Sequence, residues 1–365
     1  SAASDVYKRQ ILGSVNLETM NPKPIQQRPL VSTPWPTVDP FLFLVHHVDH
    51  YPAGDERMAP QASLQGRQMG HDFSQKDGWS MYHGHTVPGF PAHPHRGFET
   101  VTIVRQGHID HSDSLGATAR FGPGDVQWLT AGKGIVHCEM FPLRDRHGPN
   151  TGELFQIWLN LPAKRKMAEP HFTMMWHEHI PKVQFKDEAG LQTDVVVVAG
   201  QLDQARGLPP PPDSWASDPD ADLAIFTVRM QAGAKWKLPR ARHPQTRRLL
   251  YVFAGQGLHI ETETVAHGHV AEVDAQHDLW LRNGPAVTEC LMLQAKPIGE
   301  PVAQYGPFVM NTQAEIHQAF ADYRRTEFGG WPWPASDPVH PRDAGRFAQH
   351  ANGRLEHPSD ATAST

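Results

Sequence analysis

Two short stretches carry the residues best suited to chemistry: His93-Pro94-His95 and His137-Cys138-Glu139. In each, the candidate ligands stand at i and i+2, a spacing that puts both side chains on one face of a β-strand. If the two strands face each other inside a small barrel, three imidazoles and one carboxylate converge on one point. Such a donor set binds a divalent transition metal. The spacing alone is weak evidence. With 24 histidines in 365 residues, chance predicts roughly one or two His-x-His pairs. The chain has four, at 83/85, 93/95, 177/179 and 267/269, and a second His-x-Glu at 259/261. Context separates them, because only 93/95 and 137/139 have strand signals and glycine turns around both.

The elements that must position these residues are legible nearby. His95 leads into Arg96-Gly97-Phe98-Glu99 and the β-branched run Thr100–Val104, which breaks at Gly107. His137 follows the turn signal Pro123-Gly124-Asp125 and the apolar Val126–Leu129. From Gly70 to Pro162 the chain is a series of short strands parted by glycine turns, which predicts an antiparallel barrel or sandwich. Phe41–Val45 is a further buried strand. His46, His47 and His50 after it are taken as partly solvated strand-end residues rather than a second metal site.

Composition excludes several classes. The formal net charge is −6 and no basic run exceeds Lys164-Arg165-Lys166, so charge gives no sign of a nucleic-acid surface. Two cysteines, Cys138 and Cys290, make no disulfide framework. No stretch has the length of a transmembrane helix and no leader pattern is visible, so the expected location is the cytoplasm.

Residues 1–37 are proline-rich, with Pro22, Pro24, Pro29, Pro34 and Pro36, and are expected to form an extended arm. The metal-bearing barrel is expected over 38–185. A second β-rich region, over 186–311, contains Thr193–Val198, Ile225–Met230 and Leu249–Phe253, interrupted by the Pro209–Pro212 loop with Asp213, Ser214 and Asp218. Over 312–365, Thr312 and Glu315 form a capping-box pattern opening a helix that buries Ile316, Phe320 and Tyr323 and stops at Gly329-Gly330. A polar tail from Asp337 follows, with disorder expected at its end. The two β regions look like copies. Aligning Gly107 with Gly255 sets His243 opposite His95, Ala241 opposite His93 and Arg247 opposite Glu99. Aligning Asp125 with Asp278 sets Cys290 opposite His137 and Met292 opposite Glu139. A barrel that keeps one ligand of four is expected to hold no metal.

At this point a family resemblance becomes specific. The segments 93–102 (HPHRGFETVT), 123–132 (PGDVQWLTAG) and 134–140 (GIVHCEM) resemble the pirin family of bicupins. So do 156–162 (QIWLNLP) and 305–309 (YGPFV). The likeness covers roughly residues 38 to 333 and is densest in the first half. It implies an all-β fold of two face-to-face cupin (jelly-roll) barrels with a short C-terminal helix. It also implies one mononuclear iron in the first barrel, with ligands on His93, His95, His137 and Glu139. Cupins at large take their carboxylate from the first motif, here Glu99. In pirin-like proteins the second-motif glutamate serves, which leaves Glu99 to hydrogen-bond near the site or to pair with a base such as Arg96. Cys138 stands where Ser is common in this family and is expected to point away from the metal.

Three neutral imidazoles and one carboxylate leave an octahedral ion two open positions. That suits Fe(II), with Mn, Co, Ni, Cu or Zn as substitutes. A substrate with neighbouring hydroxyl and keto oxygens chelates there while O₂ approaches, and Glu139 is placed to take the hydroxyl proton as catalytic base. The resemblance implies such an activity, cleavage of quercetin-type flavonols. Arg96 and Trp128 are candidates for the site's surroundings, with an ion pair and a core position as their structural alternatives. Some pirins are instead non-enzymatic, iron-dependent redox sensors that bind a protein partner such as a transcription factor. Both functions stay open on sequence. Either is expected of a monomer that contacts neither nucleic acid nor membrane.

Overall fold

The β-branched and aromatic runs fall in strands throughout the computed structural model, which describes residues 25–359. In chain order the strands that matter here are β1 (Gln26–Pro29), β2 (Phe41–Tyr51), β3 (Gly89–His95), β4 (Phe98–Gln106), β5 (Ile109–Asp113), β6 (Thr118–Phe121), β7 (Val126–Thr130), β8 (Ile135–Met140), β9 (Asn150–Asn160), β10 (His171–Met175), β11 (Lys182–Lys186) and β12 (Gln192–Ala199). The first barrel lays a sheet ordered β10-β7-β4-β9-β2 over one that runs β6-β5-β8-β3. In the second barrel, strands His269–Val273, Arg247–Ala254, Thr288–Ala295 and Ala224–Met230 continue through β12 to β11. They face a four-stranded sheet of Lys235–Leu238, Leu279–Asn283, Leu258–Ile260 and Glu263–Val265. The protein is thus all-β, two cupin barrels with one short α-helix among the described residues.

The large sheets meet face to face. Leu44, Val101, Trp128, Phe155 and Ile157 from the first barrel share one buried cluster with Val198, Ile225, Leu249, Tyr251 and Leu291 from the second. Continuous apolar runs such as Val195–Val198 make sense here, because these strands are covered on both faces. β11 already pairs with β12, so the sheets divide between β10 and β11.

Each chain end crosses to the other barrel. β1 pairs with His269–Val273 of the second barrel; residues 1–24 of the predicted arm lie outside the described residues. The helix α1 (Gln313–Thr326) packs Ile316, Ala319, Phe320 and Tyr323 against Val136 of β8, together with Phe308 and Met310. Its capping box forms as predicted, with Glu315 N–H donating to the Thr312 hydroxyl and Thr312 N–H to Glu315. It ends earlier than Gly329-Gly330: Glu327 adopts a left-handed conformation (φ 47°) and a short 3₁₀ turn fills the gap. The polar tail from Asp337 takes up regular strand pairing before the end at which disorder is expected. Phe347–Gln349 pairs with β6 and Leu355–Glu356 pairs with it in turn. Backbone pairing needs no hydrophobic period on an edge, which is why composition missed it. Residues 360–365 lie outside the described residues.

The repeat is real, but both alignments slip. The first, which set His243 opposite His95, slips by five residues because the loop before Arg247 is longer than that before Phe98, and the second slips by one strand. Thr288–Ala295 pairs with Arg247–Ala254 and Ala224–Met230, so it corresponds to β9, not β8. The counterpart of β8 is Leu279–Asn283, which pairs with the counterpart of β3, Lys235–Leu238. Matching the end pairs, His95 with Ile135 and Leu238 with Leu279, places Trp236, Leu238, Leu281 and Asn283 where the first barrel has His93, His95, His137 and Glu139. Trp236, Leu238 and Leu281 are apolar core. Cys290 and Met292 also lie in that core, while His243 sits in an exposed loop, its amide donating to Asp222.

Candidate metal centre

β3 and β8 run antiparallel with His93 directly opposite His137 and His95 opposite Ile135. A bulge between Phe90 and His93 shifts the register. Such an extra residue re-aims the side chains beyond it. Gly89 permits the approach of β8, and Gly97, just past β3, permits that of Val309. At Gly89 (φ 133°) a Cβ would lie 2.4 Å from the Glu139 carbonyl oxygen. At Gly97 (φ 85°) one would lie 1.9 Å from that of Val309.

The three imidazoles converge as predicted: the ligand nitrogens of His93, His95 and His137 lie within 4.8 Å of one another. Ring centroids are 4.7 Å apart for His93 and His95, and 4.5 Å for His93 and His137. His93 Nδ1–H donates to the Pro91 carbonyl at 2.8 Å, which leaves Nε2 with its lone pair. His95 Nδ1 and both nitrogens of His137 are buried without a hydrogen-bond partner. Orphaned buried nitrogens in a native core call for an unseen partner. Burial drives all three pKa values down, His93 to about 4 and the others well below the usual imidazole range. Neutral imidazole is the metal-binding form, so these residues fit a divalent ion.

Glu139 stands on the same face of β8 as His137 and lines the cavity that His93 and His95 open into. It is outside the tight three-histidine group. Its Oε2 accepts from Gln156 Nε2 at 3.0 Å, and its Oε1 lies 3.1 Å from the Thr102 hydroxyl. Burial raises its pKa. Directly across from it on β5 is His111, whose Nε2 lies 3.2 Å from Asp113 Oδ2. The spacing of His111 and Asp113 is again i and i+2, a signal available in the sequence and passed over. Gln156 and Thr102 carried no such signal, because only pairing of β4 with β9 brings them beside Glu139.

The remaining candidates are structural. Glu99 is wholly buried and accepts from the hydroxyls of Thr130 (2.7 Å) and Ser214 (2.6 Å), the latter reaching over from the proline-rich loop. It does not pair with Arg96, whose guanidinium instead binds Asp322 of α1 (2.8 Å) and the Lys133 carbonyl (2.6 Å). Trp128 is core. Cys138 packs with Val87 and Met140, away from the histidines, and burial raises its thiol pKa. Among the other His-x-His pairs, His177 joins Asp125 and Glu178 in a cluster that already holds a cation. Arg346 lies there, Nη1 2.7 Å from Asp125, and also binds Glu178.

The cavity has a volume of about 560 Å³, within the range of small-molecule sites. Phe43, Phe90, Phe141, Leu154 and Trp158 give it apolar and aromatic walls. His47, His83, His85, Ser336 and Asp337 add polar groups. His46 and His47 are not strand-end residues, because β2 continues to Tyr51.

A bicupin with a buried three-histidine cluster in its first barrel is therefore the class that fold and site define. The pirin family model matches residues 26–159, and the model of the pirin C-terminal cupin domain matches 225–329. The chain belongs to the pirin family. A "Putative quercetin 2,3-dioxygenase" of Pseudomonas aeruginosa is 37% identical over 240 residues, 66% of this chain and 79% of that protein. A pirin-like protein of Caulobacter vibrioides is 38% identical over 247 residues, 66% and 80% respectively. A crystal structure of quercetin 2,3-dioxygenase from Acinetobacter baumannii superposes with TM-score 0.62 at 29% identity, covering 80% of this chain and 86% of that one. Among the described residues no helix is long and apolar enough to cross a membrane.

Proposed function

We propose that the protein is a metal-dependent dioxygenase that takes Fe(II) on His93, His95, His137 and Glu139 and cleaves quercetin-type flavonols or related chelating aromatics with O₂. The observation that carries this is the cluster of buried, partnerless imidazole nitrogens opening into an aromatic-walled cavity. A redox sensor needs the metal but no such cavity. The names of relatives at 29–37% identity support the same chemistry.

When bound, the ion supplies Lewis acidity toward chelated oxygens and a route for electrons to O₂. The protein's residues do the rest. Phe90 and Trp158 border the space for a planar aromatic ligand. Gln156 holds Glu139 Oε2, so Oε1, beside Thr102 Oγ1, is the oxygen that accepts the substrate hydroxyl proton. The test is oxygen uptake by iron-replete protein with quercetin. No uptake, together with partner binding that follows the Fe(II)/Fe(III) state, would replace this reading with the sensor.

A further inference from the structure

His47 forms one wall of the cavity and stands apart from the metal cluster. Its Nδ1 lies 2.9 Å from the Tyr82 hydroxyl. The direction of that bond follows from the next link. Tyr82 Oη is 2.8 Å from Asp49 Oδ2, and Asp49 Oδ1 already accepts from the Ser80 amide (2.9 Å) and Gln75 Nε2 (2.9 Å). Burial raises the Asp49 pKa while the hydrogen bonds from Tyr82, Gln75 and Ser80 oppose the rise. In its ionised form the carboxylate only accepts, so Tyr82 spends its single proton on Asp49. Tyr82 Oη must then accept, which makes Nδ1 of His47 the protonated nitrogen and Nε2 the lone-pair nitrogen. Nε2 has no hydrogen-bond partner among the described residues. Burial and the neighbouring His46 pull the His47 pKa down to about 4, so the ring is neutral.

The relay is built at a local cost. Tyr82 and Gln75 both hold left-handed backbone conformations, φ 57° and φ 53°. A bulky residue rarely adopts that region unless its surroundings fix it, and such positions gather at functional sites. Tyr82 also stacks on Phe90, another wall of the same cavity, with ring centroids 5.1 Å apart. His46, one residue earlier, shows the contrast: its Nε2 is taken by Glu153 at 3.0 Å.

We propose that His47 is a specificity-determining residue whose Nε2, fixed as an acceptor by the Asp49–Tyr82 relay, takes a hydrogen bond from a hydroxyl on the aromatic ligand at a ring position away from the metal-chelating pair. The inference rests on the cavity being the flavonol site. It selects polyhydroxylated aromatics over those that carry the chelating hydroxyl–keto pair alone. A site that hydrogen-bonds a ligand hydroxyl rejects the analogue lacking it, because its own polar group is left unpaired.

The test compares quercetin with 3-hydroxyflavone, which keeps the chelating pair and lacks the other hydroxyls. Binding is titrated without oxygen on zinc-loaded protein, with metal content measured for every variant. The parent is expected to prefer quercetin. In His47→Phe that preference falls about tenfold at unchanged metal content, the loss of one neutral hydrogen bond. Tyr82→Phe, which keeps the imidazole but frees its tautomer, loses a smaller factor and serves if the first variant does not fold. A preference unchanged in His47→Phe, or absent in the parent, overturns the proposal. Oxygen uptake by iron-loaded parent separates this from the dioxygenase reading. Preference without uptake sinks only the enzyme, and uptake with an unchanged preference sinks only His47.

Discussion

Gln156 donates its amide N–H to Glu139 Oε2 across 3.0 Å, from the middle of β9 to the end of β8. The two residues are 17 apart in sequence and belong to different sheets, so closure of the barrel is what aims the carboxylate. The Thr102 hydroxyl fixes the amide, donating its one proton to Gln156 Oε1 at 2.5 Å, while its oxygen lies 3.1 Å from Glu139 Oε1. Gln156→Leu should leave the fold intact while metal affinity or turnover falls about 10–100-fold, the usual effect of removing a group that orients a ligand. Isothermal titration with Fe(II) or Zn(II), beside oxygen uptake, measures both. Parent-like values in each would show that Glu139 holds its position unaided.

Glu139→Gln keeps an oxygen donor but loses the charge and the base. We expect a modest fall in metal affinity and a loss of about 10²–10⁴-fold in turnover, the span of general-base help. Oxygen consumption by metal-replete parent and variant with quercetin decides it. Equal turnover in the two would remove Glu139 as the base.

His137→Ala should lose metal and activity together, because it breaks the tight histidine group and leaves only His93, His95 and the more distant Glu139. Elemental analysis of the parent should return about one iron-type ion per chain. The positions equivalent to the ligands in the second barrel, Trp236, Leu238, Leu281 and Asn283, offer one amide and no imidazole. A parent value near two would refute the single-site assignment.

The histidine cluster was legible because strand spacing is a local rule: residues at i and i+2 share a face whatever the topology. The same rule held for α1, where the Thr312–Glu315 capping box is also local. What failed was long-range. The slip that set Cys290 opposite His137 came from matching two turn aspartates, and only strand pairing shows Thr288–Ala295 to be the counterpart of β9. His47 was passed over for the same reason. Its role depends on Tyr82, 35 residues away, which bridges it to Asp49, and no local pattern joins the three.

Glu99 makes stability depend on pH. Burial pushes its carboxyl up to about 7 from the ordinary 4.5, against the hydrogen bonds from Ser214 and Thr130, which act to lower it. The folded protein therefore keeps a proton that the unfolded chain has released, and stability falls as pH rises from about 4.5 to 7. At ~1.36 kcal/mol per unit the loss is on the order of 3 kcal/mol. Glu99→Gln has no proton to lose. Its thermal midpoint relative to the parent should rise between pH 5 and pH 8, and a pH-independent difference would show that Glu99 ionises normally.

The C-terminal tail completes a buried charge pair. Arg120 is wholly buried and binds Asp110 through Nε and Nη2, each at 2.6 Å. Its outer N–H groups donate to three tail carbonyls, Pro341 (2.7 Å), His340 (3.0 Å) and Ala344 (3.1 Å), while the His340 amide donates to Asp110 at 2.8 Å. A guanidinium in a buried pair needs its remaining donors satisfied. Deleting residues 339–365 leaves Ser336 and Asp337 at the cavity but strips those acceptors, and should destabilise by about 1–3 kcal/mol beyond the loss of strand pairing. The excess is isolated by repeating the deletion in an Asp110→Asn/Arg120→Met background, where no charge is left to satisfy. We expect a clearly smaller drop in thermal midpoint there, with bound metal unchanged in all four proteins. Equal drops in the two backgrounds would mean that the tail acts only as an extra edge strand.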